Sequence, residues 1–167
     1  MANTDATVRI VPYEAELRRH FYELNRAWIE QYFAMEPPDE RALLHPEQEI
    51  LAKGGAIWFA LLGEEVVGTC ALKPSGDGSY ELTKMAVSPG HQRRGIGEQL
   101  IAAAVADFEA RSGRLLFLET NAKLAPAMRL YARFGFVRQP HLKPGSEYAR
   151  SDVYMIYERL QLDDGNV

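Results

Sequence analysis

The chain has 167 residues, 47% of them hydrophobic and 25% charged, and a net charge of -4. That is the size of one domain, able to bury roughly two-thirds of its unfolded surface, and its acidic balance argues against non-specific nucleic-acid binding. No run approaches the ~18 apolar residues of a membrane span, and the start MANTDATVRI has neither the cationic nor the apolar region of a signal peptide.

In chain order, residues Val8 to Val11 read as a first strand. Leu17, Phe21, Leu24, Trp28, Tyr32 and Phe33 recur at helical spacing, which predicts an amphipathic helix from Glu14 to Ala34. MEPPDE breaks it, and a shorter helix is expected over Pro46 to Lys53, stopped by Gly54 and Gly55. Ile57 to Leu62 and Val66 to Lys73 form a predicted hairpin across GEE, followed by a PSGDGS loop. Cys70, the single cysteine, sits in VVGTCAL and reads as a buried core thiol; an internal disulfide is excluded and a reducing cytoplasm is the expected compartment.

Tyr80 to Val87 is the next strand, with Tyr80, Leu82, Lys84 and Ala86 assigned to one face and Glu81, Thr83, Met85 and Val87 to the other. Behind a turn at SPG, an apolar stripe of Ile96, Leu100, Ile101, Ala104, Val105 and Phe108 predicts a central helix from Gly95 to Arg111. Then come an apolar strand from Leu115 to Leu118, a helix from Ala125 to Phe134, a strand starting at Phe136 and a last strand from Val153 to Leu160. LDDGNV is read as a frayed polar tail. The order β-α-α-β-β-β-α-β-α-β-β, a meander followed by βαβ elements, predicts an α/β fold of the α+β mixed-sheet kind. Six or seven strands would carry helices on both faces.

HQRRGIGEQL places two glycines between two arginines and a helix. A Walker loop would need Lys-Ser/Thr where Glu98 and Gln99 stand. A dinucleotide fingerprint would need a small residue at Leu100 and an early position in a doubly wound sheet, although Glu119 lies at about the distance of a ribose-binding acid. Two readings stay open on spacing alone: an ordinary tight turn, or a pyrophosphate grip of backbone N–H groups at a helix start with arginines at its rim.

YELTKMAVSPGHQRRGIGEQL resembles the central motif of the GCN5-related N-acetyltransferase (GNAT) superfamily, with Gln92, Arg93, Arg94, Gly95, Ile96 and Gly97 filling its Gln/Arg-x-x-Gly-x-Gly/Ala signature. ETNAKLAPAMRLYARFGF is similar to the family's second motif, at the family's usual separation. The two motifs cover just under a quarter of the chain. The resemblance implies that the turn binds the pyrophosphate of acetyl-CoA and that Met85 and Val87 offer backbone groups to its pantetheine arm. It implies Tyr131 as the general acid that reprotonates the departing thiolate, and Glu81 as the base that takes the amine proton, often through water.

Each of these residues has a plainer reading: Tyr131 as a core aromatic, Glu81 as a solvated residue or a partner of Lys84, Glu119 as a salt-bridge or helix-start charge. The commoner family motif has asparagine three residues before Ala127, where Leu124 stands; Asn121 lies three residues earlier, as a ligand of cofactor or acceptor or as a turn cap.

In this superfamily the first two helices and the last strands shape the acceptor pocket. Tyr32, Glu30 and Glu36 are its candidates in the first half and Glu119 in the second, with PHLKPGSEYARSD as a rim loop and Arg150 and Asp152 as an expected pair. His20, His45, His91 and His141 have no metal-ligand spacing, so no metal is expected. The resemblance therefore implies transfer from acetyl-CoA to a primary amine of a small or amino-acid-like acceptor; alternatives are a protein N-terminus or lysine, or a non-catalytic acyl-CoA sensor. Dimers are common in the family, and the edge of the last strand is the candidate surface.

Overall fold

The computed structural model describes residues 7–159. The predicted tail lies outside them. Residues up to Leu116 form one compact unit and those from Phe117 form another.

The first unit opens with β1 (Val8–Pro12). A 3-10 turn at Ala15–Leu17 leads into α1 (Arg18–Tyr32). The buried face of α1 is Phe21, Asn25 and Ile29, one residue C-terminal to much of the expected stripe. Asn25 is tolerated there because its amide donates to the Phe21 carbonyl at 2.9 Å.

The chain then departs from expectation. MEPPDE does not only break a helix; it starts one, α2 (Pro37–Leu44). Two prolines fit the first turn, where a backbone N–H has no helical acceptor anyway. The Asp39 carboxylate reaches back to accept the Glu36 N–H at 2.9 Å. The shorter helix expected at Pro46 to Lys53 is a π-helical turn, Glu47–Leu51.

β2 (Ala56–Leu62), β3 (Glu65–Gly76) and β4 (Ser79–Val87) continue an antiparallel meander with β1. The predicted PSGDGS loop shrinks to a tight turn at Asp77 and Gly78, both at positive φ. Arg114 clasps that turn, donating to the Asp77 carbonyl and to Ser79 Oγ, each at 2.8 Å.

The strict alternation expected along β4 is corrected by the register. Ala71 pairs with Thr83, but Thr69 pairs with Ala86, so Lys84 and Met85 share the place opposite Cys70. That is a β-bulge. It puts Thr83 and Ala86 on the same face, because residues two apart on β3 share a face. Lys84 absorbs the extra residue at φ 52, a left-handed conformation that costs a non-glycine residue about 1–2 kcal/mol.

The two faces of the meander have different covers. Phe21, Ile29, Leu43, Ile50, Ile57, Phe59 and Ala71 form one core cluster, under α1 and α2. The other face lies against α3 (Ile96–Ala110), whose buried stripe is Ile96, Leu100, Ile101, Ala104 and Phe108, as expected save for half-buried Val105. Close approach requires glycine at 68: a Cβ there would lie 3.1 Å from both Ile96 Cγ2 and Leu100 Cδ1.

β5 (Leu115–Thr120) begins in the last two residues of the first unit and continues into the second, which also holds α4 (Ala125–Arg133), β6 (Phe136–Arg138) and β7 (Val153–Tyr157). β7 pairs antiparallel with β5 on one side and with β6 on the other. The expectation of an exposed last-strand edge is therefore overturned: the later strand in sequence is the inner one, and short β6 lies outside it.

Candidate functional site

In the first unit the glycine turn is built at the end of β4. Ser88 N–H donates to the Val67 carbonyl at 2.8 Å, and a 3-10 turn follows at Pro89–His91. The Gln92 amide bridges back to the Val87 carbonyl at 3.3 Å. Arg93 (φ 64) and Gly95 (φ 76) are both left-handed. This turns the chain into α3, where the first intrahelical bond runs from Gln99 N–H to the Gly95 carbonyl at 3.2 Å. The N–H groups of Ile96 and Gly97 precede it and have no acceptor within the helix. A fifteen-residue helix concentrates partial positive charge at this end. Gln92, Arg93 and Arg94 are exposed around it, while Ile96 is buried and anchors the turn. The donors, the dipole and the flanking guanidinium groups fit an anionic pyrophosphate. No Cβ fills the mouth at Gly95.

Met85 and Val87 lie on β4 immediately before this turn, Met85 inside the bulge. Glu81 pairs with Lys73 and shares the face of Ala71 and Thr83, under α1 and α2. Lys84 is buried, and its ammonium lies 2.8 Å from Asp39 Oδ1 of α2. That carboxylate, 45 residues away in sequence, is a partner that sequence reasoning missed. Tyr32, 43% exposed, stacks loosely with Trp28 and Phe33 at ring distances of 5.5 and 6.3 Å. Glu36 is the residue before α2, and Glu30 pairs with Arg26 at 3.0 Å along α1. Cys70 is fully buried, and burial pushes its thiol well above the ordinary range, as a core thiol requires.

In the second unit Tyr131 is half-buried on α4, its ring edge-on to Phe136 at 6.1 Å. Glu119 is inside β5, opposite Tyr154 on β7. Burial and the Glu119 charge raise the Tyr154 phenol. Asn121 uses both polar ends internally: its amide donates to the Arg150 carbonyl at 2.7 Å, and its oxygen accepts the Lys123 N–H at 2.9 Å. Asp152 accepts the Ala122 N–H at 2.8 Å, while the Arg150 guanidinium lies over Tyr148 at 4.9 Å. These bonds, not the expected Arg150–Asp152 pair, tie down the rim loop. Among the described residues no His, Cys, Asp and Glu cluster could hold a metal ion, and no helix is long and apolar enough to cross a membrane.

Over 102 residues the chain is 32% identical to the N-acetyltransferase YsnE of Bacillus subtilis, covering 59% of this chain and 66% of that protein, just under two thirds of its length. A GNAT-family acetyltransferase from Staphylococcus aureus matches in structure with a TM-score of 0.80 at 20% identity, covering 90% of this chain and 98% of that chain. A Bacillus subtilis acetyltransferase solved in complex with CoA matches with a TM-score of 0.68 at 20% identity, covering 92% and 100%. These likenesses establish the α/β mixed-sheet fold expected from the element order. The acetyltransferase (GNAT) family model matches residues 19–136, well over half of the sequence, and the chain belongs to that family.

Proposed function

We propose that the chain is an acetyl-CoA-dependent N-acetyltransferase. It acts as one domain, in the cytoplasm, passing the acetyl group directly to a primary amine of a small or amino-acid-like acceptor in a ternary complex. The observation that carries this reading is the turn from Arg93 to Gly97: two left-handed residues aim first-turn donors outward, beside two exposed arginines. In this reading Gln92 to Gly97 hold the pyrophosphate, and the backbone of Met85 and Val87 holds the arm.

Acetyl-CoA, when bound, supplies the activated acyl group. The chain's own residues manage protons. An ammonium acceptor must lose a proton before its nitrogen can attack, and Glu81 takes it, directly or through water. As the new C–N bond forms and the C–S bond breaks, Tyr131 returns a proton to the thiolate. Glu36, Glu119 and Tyr32 favour a cationic acceptor by charge and by aromatic contact. Asn121 organises the loop before α4 and, through Arg150, the rim.

The test is thermal shift with acetyl-CoA, CoA and NADH, followed by thiol release across a panel of small amines, amino acids and peptide N-termini. Stabilisation by acetyl-CoA with turnover on a small amine is expected, and Glu81→Gln and Tyr131→Phe should each lose turnover while still binding CoA. No shift with acetyl-CoA refutes the proposal. Binding without turnover on any amine favours a non-catalytic sensor. Turnover restricted to peptides overturns the small-acceptor assignment.

A further inference from the structure

We propose that the buried Lys84–Asp39 pair is a positioning device that ties the acceptor-side start of α2 to the cofactor strand β4, a role that rests on the acetyltransferase reading above. The side chains of Lys84 and Asp39 are 5% and 0% exposed, and their charged atoms are 2.8 Å apart. Burying two charges is costly, and an apolar pair of similar volume often serves stability as well or better. What an ion pair adds is direction.

Here one carboxylate serves two clients. Asp39 Oδ1 accepts the Lys84 ammonium, and Oδ2 accepts the Glu36 backbone N–H at 2.9 Å. Lys84 is the bulge residue, held at φ 52, and Met85 follows it directly. Glu36 is the residue from which α2 starts, in the segment after Tyr32. A single carboxylate thus links the backbone proposed to hold the pantetheine arm to the segment proposed to hold the acceptor. Any movement of the bulge is passed to the start of α2, so Lys84 and Asp39 act through other residues and touch no reacting atom.

The test is hydrogen–deuterium exchange on the full chain, with and without acetyl-CoA, in the wild type and in the Lys84→Met/Asp39→Asn double variant. The double variant removes both charges together and leaves an oxygen for the Glu36 N–H. In the wild type acetyl-CoA should slow exchange roughly fivefold or more in residues 84–97 and also in residues 35–40. In the double variant the first protection should persist and the second should vanish, a split that a merely structural pair would not produce. Protection of 35–40 that is equal in both proteins, or absent from the wild type, overturns the proposal. Absence of protection at 84–97 in the wild type is the distinct failure of the cofactor reading, and it removes the positioning role with it. Should the double variant fail to fold or to bind acetyl-CoA, Asp39→Glu keeps the charge on an arm one methylene longer. It should retain protection at 84–97 and lose it at 35–40, and equal protection at both overturns the proposal.

Discussion

Replacing Gly95 with alanine separates the turn's backbone conformation from its proposed grip. Gly95 has φ 76, and an added Cβ would meet nothing closer than Glu98 Oε2 at 3.8 Å. No clash arises, so the stability cost is conformational, about 1–2 kcal/mol for an L-residue in the left-handed region. For a chain of this size that lowers Tm by roughly 2–8 °C. Binding should suffer more than stability. The left-handed residue aims the first-turn donors of α3 at the pyrophosphate, and losing one hydrogen bond to a charged group is worth about 1.5–3 kcal/mol, or roughly 10- to 100-fold in Kd. Gly63→Ala is the matched control: φ is 64, nothing lies within 4 Å of an added Cβ, and the position is the β2–β3 turn. Urea or thermal unfolding and calorimetric titration with acetyl-CoA measure both effects. Similar stability losses are expected in the two variants, with weakened binding only in Gly95→Ala. If both bind acetyl-CoA like the wild type, the turn is no grip and the reasoning from backbone donors fails.

Three further outcomes are expected. Lys84→Met alone leaves a fully buried Asp39 carboxylate without its ammonium and should cost about 3–5 kcal/mol in urea unfolding; the Lys84→Met/Asp39→Asn double variant should recover most of it, and equal losses in the two would refute the burial argument. Cys70 should resist thiol reagents in the native protein and react once the chain is unfolded; because burial raises its pKa above the unfolded value of about 8.5, its stabilising term is fully present below that pH and is lost as pH rises, so Cys70→Ala should flatten the alkaline decline in unfolding free energy. Asn121→Ala removes two internal hydrogen bonds and should cost roughly 1–3 kcal/mol; faster proteolysis between residues 139 and 152 would register it, and an unchanged cleavage rate would show that other bonds hold the loop.

Local rules accounted for the succession of strands and for α1, α3 and α4, but not for α2. The stripe from Ile96 to Phe108 identified α3 because a helix buries every third or fourth residue against a flat sheet, and the structure buries that stripe. The glycine turn was legible for a similar reason: left-handed backbone needs residues that tolerate it, and Gly95 stands where the chain turns. Prolines 37 and 38 misled because they end a helix from within but start one from its first turn. Which role they play depends on Asp39 reaching back to Glu36.

The sequence by itself determined the periodicities and the glycine turn, and it carried the two motifs whose family resemblance implies the candidate chemistry, because each is written in residues close along the chain. Tertiary structure alone decided the bulge at Lys84, since a one-residue slip is defined only against β3. It decided that Lys84 belongs to Asp39, 45 residues away, because a buried ammonium takes whichever carboxylate the fold delivers. It also decided that β7 is an inner strand rather than an edge, since chain order does not specify which strand inserts between two others.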